Sequence, residues 1–549
     1  MIDPSKDQIR FTNMLRLLAS TAFFCCAIFS MCSIASAQDL RPFKYGLNPL
    51  ASGTSTTPRG NFILDIVTDP VTRQIWIATN KGPSVSYDGG KTWRNFYGTA
   101  AFHDDTASCS AIAAKNNLIV VGTATVKKVG DQDVQVGTGI HISTNGGDDW
   151  VHYTQPKDDP NDTIIHFFKS NLKALPIIVD EQNVAYSIGI QGASTIWIAS
   201  FAGGTRKSTD LGKTWSRVIL PPTNLAEINK DSIYTFGVTP VPARKYTGTD
   251  EEHLNYEGFS ILIENDTTIW VGTADGINRS TDGGIDWFKF NAQNSQITGN
   301  FVVDLKLRAP GEVWAASAKA RASTEHNGIS YTTDGGFNWH AAADLLSDST
   351  STATSLVHKL GFIQSLIYAV NDEGLWRSSD AGRSWIRPSL IFNRDTREVV
   401  TRDTVLAIGA LDTLLFAGTS DCLVSTIDSR DAPNPLSGPW HFYCFAEPVS
   451  TAEDNTYAYP NPFQPTQERT RIRYLVTNDQ QVTIEVFDFR MHLVRTIIRD
   501  VMRSGGSGRE FLELWDGSDN YGHRVPNATY FYKVTIGPDA HWGKIVVIR

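Results

Sequence analysis

The chain is poor in cysteine. Its 549 residues hold six, Cys25, Cys26, Cys32, Cys109, Cys422 and Cys444, with no Cys-x-x-Cys pair and no Cys/His cluster of zinc spacing. A disulfide-dense scaffold and a dithiol enzyme are excluded by that count. A basic excess is also lacking: 49 Lys+Arg stand against 58 Asp+Glu, a formal charge of −9, which argues against a nucleic-acid binder. Gly-x-Ser-x-Gly, His-Glu-x-x-His and phosphate-loop motifs are absent. Beyond the N-terminal segment no stretch approaches the ~20 apolar residues that a membrane span needs. What is plentiful is apolar residues (41%), glycine (43) and proline (24). A chain that apolar is not largely disordered, and one so rich in turn formers favours short strands over long helices.

The first residues read as an address. Lys6, Arg10 and Arg16 precede the apolar run Leu17 to Met31 and then Ala35-Ser36-Ala37. A positive stretch, an apolar stretch and a small-residue cleavage site make a secretory signal peptide, residues 1–37. Export is expected, and cleavage there removes three of the six cysteines.

One eight-residue pattern recurs six times. It runs Ser86-Tyr87-Asp88-Gly89-Gly90-Lys91-Thr92-Trp93 in the first copy. The others centre on Asn145 with Trp150, Asp210 with Trp215, Asp282 with Trp287, Asp334 with Trp339 and Asp380 with Trp385. A β-rich run precedes each copy, as in Ile75-Trp76-Ile77-Ala78-Thr79 and Ile269-Trp270-Val271-Gly272-Thr273. A seventh run, Leu414 to Thr419, leads into a degenerate copy: Thr426-Ile427-Asp428 survives, the glycines do not, and Trp440 follows an insertion. Each unit reads as four short strands, and about seven such units point to a seven-bladed β-propeller over residues 38–449. Within each copy the carboxylate accepts backbone N–H bonds across a tight hairpin, the glycines supply positive φ, and the Trp opens the last strand.

This pattern resembles the Asp-box (BNR) repeat of sialidases, sortilin-type receptors, xyloglucanases and photosystem assembly factors. In that family the boxes are structural and lie away from the active site. The resemblance therefore implies a scaffold role for Asp88, Asn145, Asp210, Asp282, Asp334, Asp380 and Asp428, and for Trp93, Trp150, Trp215, Trp287, Trp339, Trp385 and Trp440. No metal site and no cofactor is expected, because the spacing lacks the ligand density of a calcium loop.

A polar linker at 450–456 leads into a strand-rich module, 457–549, suited to a small β-sandwich. Its Tyr459-Pro460-Asn461-Pro462-Phe463, Val486-Phe487-Asp488, Trp515-Asp516-Gly517, Val525-Pro526, Tyr530-Phe531-Tyr532 and terminal Lys544 to Arg549 resemble two related modules. These are the immunoglobulin-like module of the flagellar hook-capping protein and the C-terminal sorting domains of type IX secretion. The resemblance implies that secretion machinery is a partner and that the product is secreted or held at the cell surface. The family pattern has a glycine where Ala528 stands and another near Met491-His492.

Sialidase chemistry would need an early Arg-Ile-Pro, and the chain offers only Arg41-Pro42. An inverting hydrolase needs two carboxylates ~6.5–9.5 Å apart, for which Asp104-Asp105 and Glu251-Glu252 are available. Spacing is more informative. Successive pattern Trp residues lie 57, 65, 72, 52, 46 and 55 apart. The two long gaps place insertions at about Gln155–Glu181 and Pro221–Glu257, on the face opposite the recurring turns. They carry Phe167, Phe168, Tyr234, Tyr246 and Tyr256, which are the expected ligand-binding residues, since long loops tend to carry function. The reading is an exported, non-enzymatic propeller that binds a protein or glycan. The alternatives are a sialidase- or xyloglucanase-type glycoside hydrolase and an extracellular assembly or adhesion factor. If Thr426 faces Trp440, then Cys422 faces Cys444, and a cross-strand disulfide is expected. Cys109, in an apolar strand, is expected to stay a buried thiol.

Overall fold

The computed structural model describes residues 54–103, 108–239, 253–345, 355–388, 391–392, 400, 404–430, 435–436, 438–444, 456–466, 469–505 and 509–548. The N-terminal leader, Asp104-Asp105, Tyr246, Glu251-Glu252 and the linker up to Asn455 lie outside them. The described residues form two compact units, 54–444 and 456–548. Among them no helix is long and apolar enough to cross a membrane.

The larger unit is a β-propeller. In each sheet the chain runs outward as an antiparallel meander; the first sheet uses Ile63–Asp69, Gln74–Thr79, Gly82–Ser86 and Trp93–Asn95 in that order. Among the described residues seven such sheets follow one another, the sixth with three strands and the first and fourth with a short fifth strand at the outer edge. Their innermost strands are Ile63–Asp69, Ser108–Lys115, Ala185–Gln191, Gly258–Ile263, Phe301–Ala309, Val357–Ile363 and Val405–Leu411. Each packs on the next, and the last packs on the first, so the ring closes. All seven carry a bulge at the same place, between Ile63 and Asp65 in the first and between Val405 and Ala407 in the last. A repeated bulge bends each inner strand and re-aims one side chain at the same level of the channel.

The recurring turn is a closed hydrogen-bond unit joining third and fourth strands. In the first copy Gly90 N donates to Ser86 Oγ at 2.8 Å, and Thr92 N donates to Asp88 Oδ1 at 2.9 Å. Thr92 Oγ1 adds a bond to Asp88 Oδ2 at 2.6 Å. Copies on Asp210, Asp334 and Asp380 repeat it with Thr214, Asn338 and Ser384. In the second copy the polarity is reversed: Asn145 Nδ2 donates to Asp149 Oδ2 at 2.9 Å. The Trp of four copies donates Nε1 to the second glycine's carbonyl: Trp93, Trp150, Trp215 and Trp287.

The second glycine does more than turn the chain. In five of the six copies it is the seat for an aromatic ring of the preceding sheet; in the third, Gly212 faces Ile142 instead. A Cβ on Gly147 would lie 2.9 Å from Trp76, and one on Gly336 would lie 3.1 Å from Trp270. Gly382 takes Trp314, Gly90 takes Phe416, and a Cβ on Gly284 would collide with Trp197. Those rings come from the second strand of each sheet, so the β-rich run and the turn that follows in the next unit are two halves of one contact.

The degenerate seventh copy differs. Asp428 turns inward and is buried at 1% exposure. Its Oδ2 accepts Tyr368 Oη at 2.6 Å and Arg377 Nε at 2.7 Å, both from the sixth sheet. Trp440 keeps its buried place but donates to Leu436 O at 3.3 Å.

The smaller unit is a β-sandwich. One sheet orders Thr456–Tyr459, Thr470–Val476 and Arg509–Trp515; the other orders Leu493–Arg503, Gln480–Phe487, Ala528–Ile536 and Asp539–Val547. Thr456, expected in the linker, already pairs with Tyr474 in the first sheet. Alternation along Gln480–Phe487 and Ala528–Ile536 sends Val482, Ile484, Val486, Tyr530, Tyr532 and Val534 into the core with Trp515.

Cys422 and Cys444 carry separate thiols in this structure. The register behind the expectation is present, with Leu423 opposite Tyr443, Val424 opposite Phe442 and Ser425 opposite His441.

Candidate functional site

An antiparallel meander puts its first-to-second and third-to-fourth turns at one end. The recurring turns accordingly bond the first-to-second turns, as Gly146 N does to Asn117 O at 2.9 Å and Gly335 N to Gly311 O at 2.9 Å. Connections between successive sheets emerge at the other end. Both long insertions are such connections, and there they form one lobe.

The first insertion contains a hairpin, Ile164–Phe167 paired with Ser170–Lys173. The second lies alongside it. Val238 N donates to Lys173 O at 2.8 Å, Leu175 N to Val238 O at 3.1 Å and Tyr234 N to Ser170 Oγ at 2.8 Å. Phe167 packs on Tyr234 at 6.2 Å and Tyr234 on Phe236 at 5.7 Å between ring centroids. Leu172, Ala174, Ile219 and Val238 complete this small core. Three of the aromatics expected to meet a ligand are therefore the lobe's own packing. Phe167 is buried; Tyr234 accepts a bond from Asn229 N at 2.9 Å; Tyr256 packs on Gly204 and donates to Gly203 O at 3.3 Å.

Phe168 is different. It is 58% exposed and is the first residue of the hairpin's two-residue turn, with φ of +48°. Glycine ordinarily takes that position, because a Cβ there crowds the backbone. Ile164, Ile178 and Ile233 of the same lobe are also exposed, at 50%, 51% and 74%. The lobe therefore presents one aromatic and three branched aliphatic side chains to solvent.

The lobe's base is fixed by buried charge. Asp158 accepts Arg206 Nη1 at 2.8 Å and pairs with Arg217, and all three side chains are at most 6% exposed. Burial alone would raise the Asp158 carboxyl; the two guanidinium groups outweigh it and hold it below the usual range. Arg217 also donates to Leu175 O at 3.0 Å. Under the second insertion, buried Lys289 reaches Asp275 at 2.6 Å, Pro222 O at 2.9 Å and Thr223 O at 3.1 Å. These anchors leave no mark in the sequence, since Arg206 and Lys289 lie in ordinary strands. Nor does a third element, the long hairpin of Leu118–Val129 and Gln132–Ser143. That hairpin meets the lobe where Gln182 N donates to Gln135 O at 2.8 Å and Gly137 N to Asp180 O at 3.1 Å. A 57-residue gap between pattern Trp residues concealed it.

At the channel mouth beside the lobe, bulge residues Tyr186 and Phe259 stack at 5.7 Å, and Phe259 meets Phe301 at 4.2 Å. Deeper, Lys359 of the sixth sheet lies 3.8 Å from Asp65 of the first and 3.6 Å from Asp304 of the fifth. The first and sixth sheets are not neighbours, so this cation crosses the channel. Asp65 also accepts Ile66 N, and Asp304 accepts Leu360 N. Two carboxylates neutralised this way are not arranged as an acid and a base. Among the described residues no group of three or more His, Cys, Asp or Glu stands close enough to hold a metal ion.

No family model matches the chain, and no curated protein matches it. Solved propellers do. A GH74 enzyme of Niastella koreensis is 12% identical, with 89% of this chain and 73% of that one covered and a TM-score of 0.47. PorZ, a surface component of the type-IX secretion system of Porphyromonas gingivalis, is 13% identical, covers 89% and 66%, and has a TM-score of 0.36. YCF48 bound to D1 peptide is 13% identical, covers 71% and 99%, and has a TM-score of 0.39. The propeller assignment stands on the closed ring of sheets, independently of these likenesses.

Proposed function

We propose that the chain is an exported, non-enzymatic binding protein whose ligand meets the insertion lobe. The observation that carries this reading is Phe168: an exposed aromatic in a strained backbone conformation, at the tip of a hairpin whose base is locked by buried ion pairs. Strain kept at an exposed tip marks a functional position, and a pre-ordered tip loses little entropy on binding. The exposed Ile164, Ile178 and Ile233 of the same lobe favour a protein over a glycan, because branched aliphatic side chains fit an apolar groove and offer sugars neither stacking faces nor hydrogen bonds. The Lys359 bridge between Asp65 and Asp304 supports the non-enzymatic side.

On this reading residues 1–37 are a signal peptide, the recurring turns are Asp-boxes that build the seven-bladed scaffold, and 457–549 is an immunoglobulin-like module engaging secretion machinery for release or surface attachment. The test immobilises the mature chain and its Phe168→Ser and Ile233→Ser variants. Each is exposed to cell-envelope extract and, separately, to a glycan array. A protein partner retained by the parent and lost with both variants is the expected result. Equal retention by the variants, or binding confined to the array, would contradict it. Truncation before Thr456 should leave a folded propeller that is not released; normal release would count against the module's role.

A further inference from the structure

We propose that Cys422 and Cys444 close as a disulfide that fastens the seam of the propeller ring. The pairing of the seventh sheet's third and fourth strands runs Ser425–His441, Val424–Phe442, Leu423–Tyr443. One step further along the same register sets Cys422 opposite Cys444. Directly opposed antiparallel residues have Cα atoms ~4.5–5.5 Å apart, within the span a disulfide bridges. Both cysteines belong to one apolar cluster with Leu436 and Trp440, Cys422 fully buried and Cys444 at its margin. The Cys422 backbone is held on both sides: its N–H donates to Thr419 Oγ1 at 3.0 Å, and its carbonyl accepts Thr419 N at 3.0 Å.

The location gives the bond a purpose. Among the described residues the first and seventh sheets are each built from their own contiguous segment, and no strand is shared between them. Closure rests on side chains: Trp93 meets Phe416 and Tyr443 edge-on at 6.5 and 6.0 Å, with Ile63, Ile66, Ala407 and Leu423 beside them. Tyr443 ends a strand of three residues, His441–Tyr443, and Cys444 follows it directly. A covalent link at Cys444 pins the end of that strand against the seam.

Oxidation proceeds by exchange with the disulfide of an oxidised dithiol oxidoreductase. Half-exposed Cys444 attacks as thiolate and forms a mixed disulfide, releasing one catalyst thiolate. The Cys422 thiolate then attacks Cys444 Sγ and expels the second. Two electrons pass to the catalyst, and the two protons shed by the cysteines end on its thiolates. Cys109 is the internal control: it is buried in the second sheet, where burial pushes its thiol up to about 12, so it neither attacks nor is reached.

The experiment uses the full mature chain, reduced and then equilibrated with oxidised glutathione, denatured without reductant and alkylated. One alkylated thiol, on Cys109, and a linked peptide pair carrying Cys422 and Cys444 are expected. Three alkylated thiols, or a bond to Cys109, would overturn the pairing. Reductant should lower the melting temperature of the oxidised parent by several degrees and leave Cys422→Ala and Cys444→Ala unmoved. A parent whose melting ignores reductant would overturn the fastening role.

Discussion

Six of the recurring turns and the seventh occupy equivalent places in their sheets, yet their acidic residues act in opposite directions. In the six, the Asp or Asn faces outward and ties its own hairpin, residue i to the N–H of i+4, while in five of them the second glycine receives an aromatic ring of the preceding sheet and in the third Gly212 receives Ile142. In the seventh, Ser429 and Arg430 stand where the glycines would be, and no flat seat remains. The sixth sheet offers Tyr368 at the position held elsewhere by Trp270 or Trp314. Its hydroxyl reaches Asp428, and Arg377 completes the contact. One kind of seam is surface complementarity and the other is buried charge. The position keeps one role, joining adjacent sheets, while the force that does it is exchangeable. Buried charge is also the less forgiving force, because removing one partner strands the other in a low-dielectric site.

The largest effect should come from breaking the seventh seam. Asp428→Ala leaves Arg377, 2% exposed, without its carboxylate. About 3–5 kcal/mol should be lost, read as a large drop in melting temperature. Gly284→Ala should come next: it forces a methyl into Trp197 at φ of +92°, at about 3 kcal/mol. Gly283→Ala, at φ of +81° with nothing nearer than 3.9 Å, should cost only about 1 kcal/mol, so equal losses at the two glycines would refute the seat. Asp282→Ala should cost about 1–2 kcal/mol for its turn bonds, well below Asp428→Ala in parallel melts.

The smallest effect is acid sensitivity of the intact turns. The bond from Thr214 holds Asp210 down to about 2, and bonds from Asn338 and Ser384 hold Asp334 and Asp380 there too. Carboxylates depressed on folding stabilise above their unfolded value of ~3.9, and that contribution fades as pH falls toward 2. Melting temperature should therefore decline from pH 5 to 2, and Asp210→Asn, which imitates the natural Asn145 turn, should flatten the decline slightly. An unchanged slope would contradict the turn geometry.

The propeller could be read from the sequence because its signal is repetition: each turn is local chemistry within eight residues, and the period repeats it. The aromatic seat could not, since Trp197 and Gly284 meet only after two sheets are stacked. The lobe was legible as excess length and the identity of its inner core was not. Phe167 and Phe168 are the same residue type in adjacent positions, and only the hairpin's two-residue turn decides that one packs on Tyr234 while the other faces solvent. The Asp158 anchor was hidden for a similar reason: Arg206 and Arg217 reach it across 48 and 59 residues of chain, in a pattern that resembles any surface strand.

The most direct test of a buried-charge seam in place of a glycine seat is a double-mutant cycle on Arg377→Met and Asp428→Ala. Arg377→Met should recover much of what Asp428→Ala loses, with a coupling of about 2–3 kcal/mol. Losses that simply add, within about 0.5 kcal/mol, would contradict it.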